Sequence, residues 1–245
     1  MNPWQRLVHT ANNALRAGDI DQAEKLLLQA MTLAQTFPPA DVRRPHGLSQ
    51  LAHIYLLKGK RELAIQLYRS ALKIWAAIHG AASSKYVERL QFFATQFLSH
   101  DPAQADVALK EAHAMLTAML PQNDAEVISS LIFLGYNAQS RGEKEEAEAF
   151  LLEALKRCKS DPGLNWFVKQ HLGLLYAGQG RYAEAEQLLR YVLSVIEGEF
   201  GSKSPGLTSI LEPLGQVLRK QGKNEEAERI FQRSTKLSLG GAEQA

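Results

Sequence analysis

The sequence predicts an all-α protein, a solenoid of about six helical hairpins. A short string recurs along the chain, in which a turn with glycine precedes a helix that opens with acidic residues around an alanine. Apolar residues on both sides of the glycine recur at i, i+3, i+4 and i+7, the spacing of an amphipathic helix. No stretch of the sequence alternates apolar and polar residues in the way that predicts a strand.

The recurring alanines set the length of the repeat. They are Ala23, Ala64, Ala147, Ala185 and Ala227, with a weaker copy at Ala105. The steps between them are 41, 41, 42, 38 and 42 residues, and a fixed period of this size is the signature of a repeat architecture. We therefore predict a single array over residues 1–240, followed by a flexible tail at 240–245. Its units are about 3–40, 41–83, 84–122, 123–161, 162–203 and 204–239.

Each unit is predicted to be two helices that meet closely. The glycine suits the left-handed backbone at the end of the first helix, and acidic residues favour the positive end of the second. Small residues, such as Ala147 on the second helix and Gly135 on the first, let the two helices approach. We expect Ala147 to lie where the helices touch and the next residue, Glu148, to face outward.

Two units carry a pattern that identifies a family. The second unit contains Leu51, Ala52, Tyr55, Gly59, Ala64, Tyr68 and Ala71. The fifth contains Leu172, Gly173, Tyr176, Gly180, Tyr182, Ala185 and Leu189. This pattern resembles the tetratricopeptide repeat, although most units here exceed that family's usual length of about 34 residues. The longer unit is similar to the kinesin-light-chain type. The resemblance implies a right-handed superhelix whose first helices line a concave groove that binds a protein or peptide.

The third unit departs from the pattern. Its turn reads Ser99-His100-Asp101-Pro102 and has no glycine, but Asp101 can cap a helix that begins at Pro102. Its first helix also carries three phenylalanines, Phe92, Phe93 and Phe97. Two interpretations stay open at this point. The phenylalanines either adjust the core locally or belong to a bend that shapes a binding pocket.

The resemblance also implies which side chains point into the groove. Counting from the alanines, they are Asn12, Ser49, His53, Gln91, Thr95, Tyr136, Gln139, Gln170, Gln216 and Arg219. This lining is mostly neutral and polar, which suits a peptide held by amide-type hydrogen bonds. Tyr136 is the best candidate for a binding hot spot, with Gln91 and Gln170 on either side of it. The alternative is a solvated inner face that binds nothing strongly.

Two specialised groove chemistries of the family are not supported by the sequence. The chaperone-tail receptors bind a terminal carboxylate through lysines, but the equivalent sites in the first three units are Val8, Ser49 and Gln91. Kinesin light chains bind cargo through a recurring asparagine at the same sites, which none of the six units carries. We therefore expect neither a carboxylate clamp at these sites nor the cargo specificity of kinesin light chains.

No catalytic or metal-binding motif stands out. The sequence has no phosphate-binding loop and no paired-cysteine zinc pattern, and we expect neither enzyme activity nor a cofactor or metal. His46 and His53 share a helix face without a third ligand, and Cys158 is expected to be an unreactive thiol. The net charge of +2 and the absence of a long apolar stretch predict no nucleic-acid or membrane partner.

The sequence favours a cytoplasmic protein, with no signal peptide after Met1, that is a monomer or a weak homo-oligomer. The predicted function is a scaffold that binds a protein or peptide in the groove. The alternative is a structural subunit that self-associates through its convex face or the ends of the solenoid.

Overall fold

A computed structural model describes residues 1–158 and 161–242, and the regular structure of these residues is entirely helical. The helices are α1 (Pro3–Arg16), α2 (Ile20–Ala34), α3 (Arg43–Leu57), α4 (Arg61–His79), α5 (Ser84–Phe97), α6 (Pro102–Met119), α7 (Ala125–Ser140), α8 (Lys144–Arg157), α9 (Pro162–Gly178), α10 (Tyr182–Phe200), α11 (Thr208–Lys220) and α12 (Asn224–Ala242). A 3₁₀ turn, Pro205–Leu207, precedes α11. The prediction of an all-α repeat solenoid is confirmed. Of the predicted tail, residues 243–245 lie outside the described residues.

The chain forms two compact units, Met1–Leu116 and Thr117–Ala245, and the division falls within α6. In unit 1, α1 pairs with α2 and α3 with α4, while α2 also contacts α3 and α4 contacts α5. Unit 2 contains the hairpins α7–α8, α9–α10 and α11–α12. Each of these hairpins packs against the next, and the first helices α7, α9 and α11 lie side by side. Burial is thus completed between neighbouring hairpins, as expected for a repeat array.

Five of the turns between paired helices share one geometry, which depends on glycine. Their glycines, at positions 18, 59, 142, 180 and 222, have φ between +71° and +83°. At one of them, the Gly142 N–H donates to the carbonyl of Gln139 (3.0 Å) and the Glu143 N–H to that of Ala138 (2.9 Å). This is the Schellman arrangement, which satisfies carbonyls left open at the helix end. The predicted role of the glycines is confirmed.

The turn between α5 and α6 replaces glycine with a side-chain cap. The Asp101 N–H donates to the Phe97 carbonyl at 2.7 Å. Its carboxylate accepts a hydrogen bond from the Gln104 N–H at 3.2 Å, and α6 begins at Pro102. The cap predicted from Asp101 and Pro102 is therefore present, and the turn has its own length.

The small residues lie where helices of a pair touch. Ala147 is fully buried, as are the other recurring alanines. A Cβ added to Gly135 would stand only 2.8 Å from Cγ of Leu151 on the partner helix, and one added to Gly215 only 2.6 Å from the ring of Phe231. The predicted close approach of the helices is therefore correct.

The prediction that Glu148 faces outward is wrong. Its carboxylate accepts hydrogen bonds from the Tyr176 hydroxyl (2.9 Å) and from Nη1 of Arg181 (2.7 Å), and its side chain is only 25% exposed. Successive helix residues differ in direction by about 100°, so a residue next to a buried one need not face solvent. Glu148 instead faces the following hairpin and binds to it.

The same contact recurs at other junctions, and we call it the inter-hairpin clamp: the carboxylate of the residue after a recurring alanine binds the next hairpin. In unit 1, Glu24 accepts from Nζ of Lys58 at 2.5 Å. In unit 2, Glu186 accepts from Nζ of Lys223 at 2.7 Å. These half-buried acids hold adjacent hairpins together in addition to any effect on the helix dipole.

Candidate ligand-binding site

A cavity of about 340 Å³ lies within unit 1. Its walls come from the first helices α1, α3 and α5, and its floor from residues of the second helices α2 and α4. Three residues predicted to face the groove, Asn12, Ser49 and His53, line it together. The volume falls within the range of about 300–1,000 Å³ that is typical of small-ligand pockets.

Helix α5 contributes different residues from those predicted. Arg89, Phe92 and Gln96 line the cavity, whereas Gln91 and Thr95 do not. The Thr95 hydroxyl donates instead to the carbonyl of Phe92 at 2.8 Å. The predicted positions assumed that the glycine turn also followed α5. The turn at Asp101 has another length, so counting back from Ala105 gives the wrong rotation for this helix.

An aromatic cluster joins α4 to α5 beside the cavity. The Tyr68 ring lies 5.2 Å from that of Phe93 and 5.6 Å from that of Phe97, measured between centroids, and all three residues are buried. Phe92 is 46% exposed and lines the cavity with Phe93. Both interpretations of the third unit therefore apply, since Phe97 adjusts the core and Phe92 forms part of a pocket wall.

Sequence reasoning missed Tyr68 and Trp75, which lie on α4 and line the floor of the cavity. The family resemblance assigns second helices to the outer surface, so no α4 residue was considered. One signal was available. Tyr68 has a polar tip at the place where Leu27 and Leu151 follow their own alanines by four residues.

Three buried polar atoms of the cavity lining have no hydrogen-bond partner within the described residues. They are the Tyr68 hydroxyl, Oε1 of Gln50 and Nδ1 of His53. Leaving a buried polar atom unpaired costs about 1–3 kcal/mol, so such atoms usually indicate a water or ligand that supplies the partner. Because all three line one cavity, a single occupant can contact more than one of them.

The charge of the cavity lining is neutral to positive. The guanidinium carbon of Arg89 lies 4.9 Å from the centroid of the Trp75 ring. Burial lowers the pKa of His46, and the nearby Arg89 charge lowers it further. Burial also lowers the pKa of His53, partly opposed by a hydrogen bond from Gln96. No aspartate or glutamate is among the described residues that line the cavity.

The groove residues predicted for unit 2 lie on its three first helices. Tyr136 on α7 is 48% exposed, and Gln139 beside it is also exposed. Gln170 on α9 is half-buried. Gln216 and Arg219 on α11 are exposed, but the Arg219 guanidinium carbon lies 4.6 Å from the centroid of the Phe231 ring on α12. Tyr136 is thus available to a partner, while Arg219 is engaged within its own hairpin.

Other candidate chemistry is weak. Cys158 is buried, its thiol donates to the Leu155 carbonyl at 3.5 Å, and burial raises its pKa, which disfavours the reactive thiolate. Across residues 1–158 and 161–242, no three His, Cys, Asp or Glu side chains are grouped so that they could hold a metal ion.

Within the part of the chain that the structure describes, no helix has both the length and the apolar character needed to cross a membrane.

Known structures share this fold. BtubC (BKLC) from P. vanneervenii superposes with a TM-score of 0.69 at 18% identity, covering 99% of this chain and 93% of that one. Aspartyl phosphate phosphatase F from Bacillus subtilis gives a TM-score of 0.69 at 11% identity, covering 98% and 75%. The Rap conjugation gene regulator of plasmid pLS20, solved with the Phr* peptide, gives 0.61 at 15% identity, covering 98% and 75%.

No curated protein matches the sequence. Family models of the tetratricopeptide repeat, however, match residues 48–75, 127–160 and 167–239, which together make up more than half of the chain. Both the spacing of the recurring alanines and the stacked hairpins agree with these matches. The chain therefore belongs to the tetratricopeptide repeat family, whose fold generally serves as a scaffold for protein interactions.

Proposed function

We propose that this protein binds a peptide segment of a partner on the first-helix side of unit 1, at the cavity. The observation that carries the proposal is the cavity itself, because α1, α3 and α5 each contribute residues to it. A fold relative, the Rap regulator of pLS20, was solved with a peptide bound, which makes peptide binding by this fold a reasonable expectation.

The chemistry of the cavity supports a peptide ligand. Asn12, Gln50 and Gln96 offer amide groups that can bond to a peptide backbone, beside an apolar surface that can take a side chain. Phe92 provides a half-exposed aromatic surface of the kind that dominates binding energy at interfaces. In unit 2, the exposed Tyr136 offers a second contact of the same kind. The fold is one that is generally not catalytic, and the proposed role is binding without chemical conversion.

The proposal can be tested by selecting random linear peptides on the full chain and measuring their affinity by fluorescence anisotropy. We expect Phe92→Ala to weaken the selected peptides about thirtyfold, the effect of losing about 2 kcal/mol at a hot spot. Phe200→Ala is the matched control, because Phe200 is a 62% exposed phenylalanine at the end of α10 and should leave the affinity unchanged. Thermal melts of both variants check that the fold is intact.

Tyr136→Ala tests whether the selected peptides also use unit 2, where a similar loss of affinity is expected without a lower melting temperature. If the peptides bind to Phe92→Ala and Tyr136→Ala as they do to the unchanged protein, the proposal is wrong. If no peptide is selected and light scattering shows oligomers that grow with concentration, self-assembly takes its place.

A further inference from the structure

The polar residues of the unit 1 cavity form two rows across three helices. On each helix, two polar or aromatic lining residues stand seven positions apart, which is about 10 Å along a helix axis. The pairs are His46 and His53 on α3, Tyr68 and Trp75 on α4, and Arg89 and Gln96 on α5. Contacts join His46 to Arg89, Arg89 to Trp75 and His53 to Gln96. One end of the cavity therefore holds His46, Trp75 and Arg89, and the other holds His53, Tyr68 and Gln96.

The first end is cationic. Arg89 has one ion-pair partner, its chain neighbour Glu88, at 3.3 Å, and the Glu88 side chain is 65% exposed. An exposed pair of this kind contributes little, so the guanidinium can still bind another anion. A guanidinium stacked on an aromatic ring is well suited to a planar carboxylate. The described lining includes no acidic residue that would repel one.

The second end is neutral and incompletely hydrogen-bonded. Tyr68 is only 1% exposed, yet its hydroxyl has no partner among the described residues. Nδ1 of His53 is also buried and unpartnered there. Burial lowers the pKa of this imidazole, so it is mainly neutral at neutral pH. This end is therefore suited to a hydroxyl or carbonyl group rather than to a second charge.

The space between the two ends is bounded by apolar surface. Ala71 and Leu72 lie between Tyr68 and Trp75 on α4, and Phe92 and Phe93 occupy the same level on α5. An occupant with an apolar body would gain burial along this length. An apolar body with no polar ends would leave the Tyr68 hydroxyl unpaired.

We propose that the unit 1 cavity binds a small organic acid with a carboxylate at one end of an apolar body and a neutral hydrogen-bonding group at the other. Arg89 binds the carboxylate, and Tyr68 and His53 bind the neutral group. This small-molecule site goes beyond the proposed peptide binding and does not depend on it.

The experiment uses the full chain and 3-(4-hydroxyphenyl)propanoate as the probe. Two analogues each lack one end: 3-(4-hydroxyphenyl)propanamide has no charge, and 3-phenylpropanoate has no hydroxyl. For a ligand of this size we expect a Kd of about 0.1–1 mM, measurable by calorimetry or by NMR titration. Each analogue should bind about tenfold more weakly, the loss expected for one buried polar contact.

Two variants assign the ends of the ligand to the ends of the cavity. Arg89→Met should abolish the preference for the acid over the amide, while keeping the preference for the hydroxyl. Tyr68→Phe removes only an unpartnered hydroxyl and should do the opposite. Arg69→Met is the matched control, because Arg69 is exposed on α4, bonds to Gln104 and does not line the cavity.

The proposal fails if the unchanged protein binds the acid and the amide equally, or if Arg89→Met and Arg69→Met behave alike. It also fails if a tyrosine-terminated peptide with a free carboxylate binds more than about tenfold tighter than the free acid, because the natural occupant would then be a chain terminus. Phe92→Ala and selected peptides test the peptide proposal separately, so the two can fail independently.

Discussion

The two compact units use the same hairpin plan but differ at one recurring position, twelve residues before the recurring alanine. In unit 2 this position holds Gly135, Gly173 and Gly215, and each lies against a large side chain of its own hairpin. In the third hairpin it holds Phe93, which packs against Tyr68 of the preceding hairpin and lines the cavity. A glycine at this position lets paired helices approach, whereas a phenylalanine redirects packing to the neighbouring hairpin.

The difference teaches how a repeat array acquires a binding site. Stability comes from contacts between successive hairpins, so most junctions must be filled. Altering one junction leaves space for a ligand while the others keep the array folded. The cavity of unit 1 is bounded by the aromatic cluster at such an altered junction.

The largest expected effect compares the addition of the same bulk in each unit. Ala147→Leu on α8 places extra atoms at a fully buried contact and should destabilise the protein by about 1–3 kcal/mol. Ala71→Leu on α4 is the matched change, since Ala71 is also buried but lines the cavity, and it should cost less than about 1 kcal/mol. Urea denaturation of both variants measures the difference. Equal losses would contradict the distinction between a filled junction and an open one.

A smaller effect is expected at the inter-hairpin clamp. Glu148→Ala removes the acceptor of the Tyr176 hydroxyl, and Tyr176 is only 8% exposed, so we expect a loss of about 1–2 kcal/mol. Glu145→Ala is the control, because Glu145 is exposed in the first turn of the same helix and should change the stability by less than about 0.5 kcal/mol. Matching melting temperatures for the two variants would show that the clamp contributes nothing.

The smallest expected effect is a dependence on pH that differs between the units. Burial lowers the pKa of His46 and His53 in unit 1 and of His171 in unit 2 below the ordinary value of 6.5. The unfolded chain therefore takes up protons first as the pH falls through about 6.5, and the folded state loses stability below that value.

The double variant His46→Gln, His53→Gln should accordingly lose less stability than the unchanged protein between about pH 7.5 and pH 5.5. His171→Gln should produce a smaller flattening, because one group is removed instead of two. Urea midpoints at the two pH values measure both. A double variant with an unchanged pH dependence would show that the cavity histidines titrate alike in the folded and unfolded chain.

Much of the fold could be predicted because its determinants are local. The glycines that require positive φ and the alanines at close contacts each carry their meaning in a few neighbouring residues. The direction of Glu148 could not be predicted in the same way. Whether a residue beside a buried alanine meets solvent or the next hairpin depends on how hairpins stack, which a single sequence does not state.

The candidate site was predictable only in part for a related reason. Asn12, Ser49 and His53 follow from the regular spacing of the first two hairpins. Arg89 and Gln96 do not, because the turn at Asp101 changes the count. The role of Tyr68 depends on an unpartnered hydroxyl, and hydrogen-bond partners come from residues distant in sequence.

The shared glycine turns also define places where the chain could be recombined. Gly142 and Gly180 have the same backbone conformation and lie 38 residues apart. Excising residues 143–180 would join α7 to α10 through an unchanged turn and bring Gly135 against Leu189 in place of Leu151. That substitution keeps a glycine facing a leucine, as Gly135 and Gly173 do now. The shortened chain should therefore still fold, and arrays of different length could arise by gain or loss of a single segment at these turns.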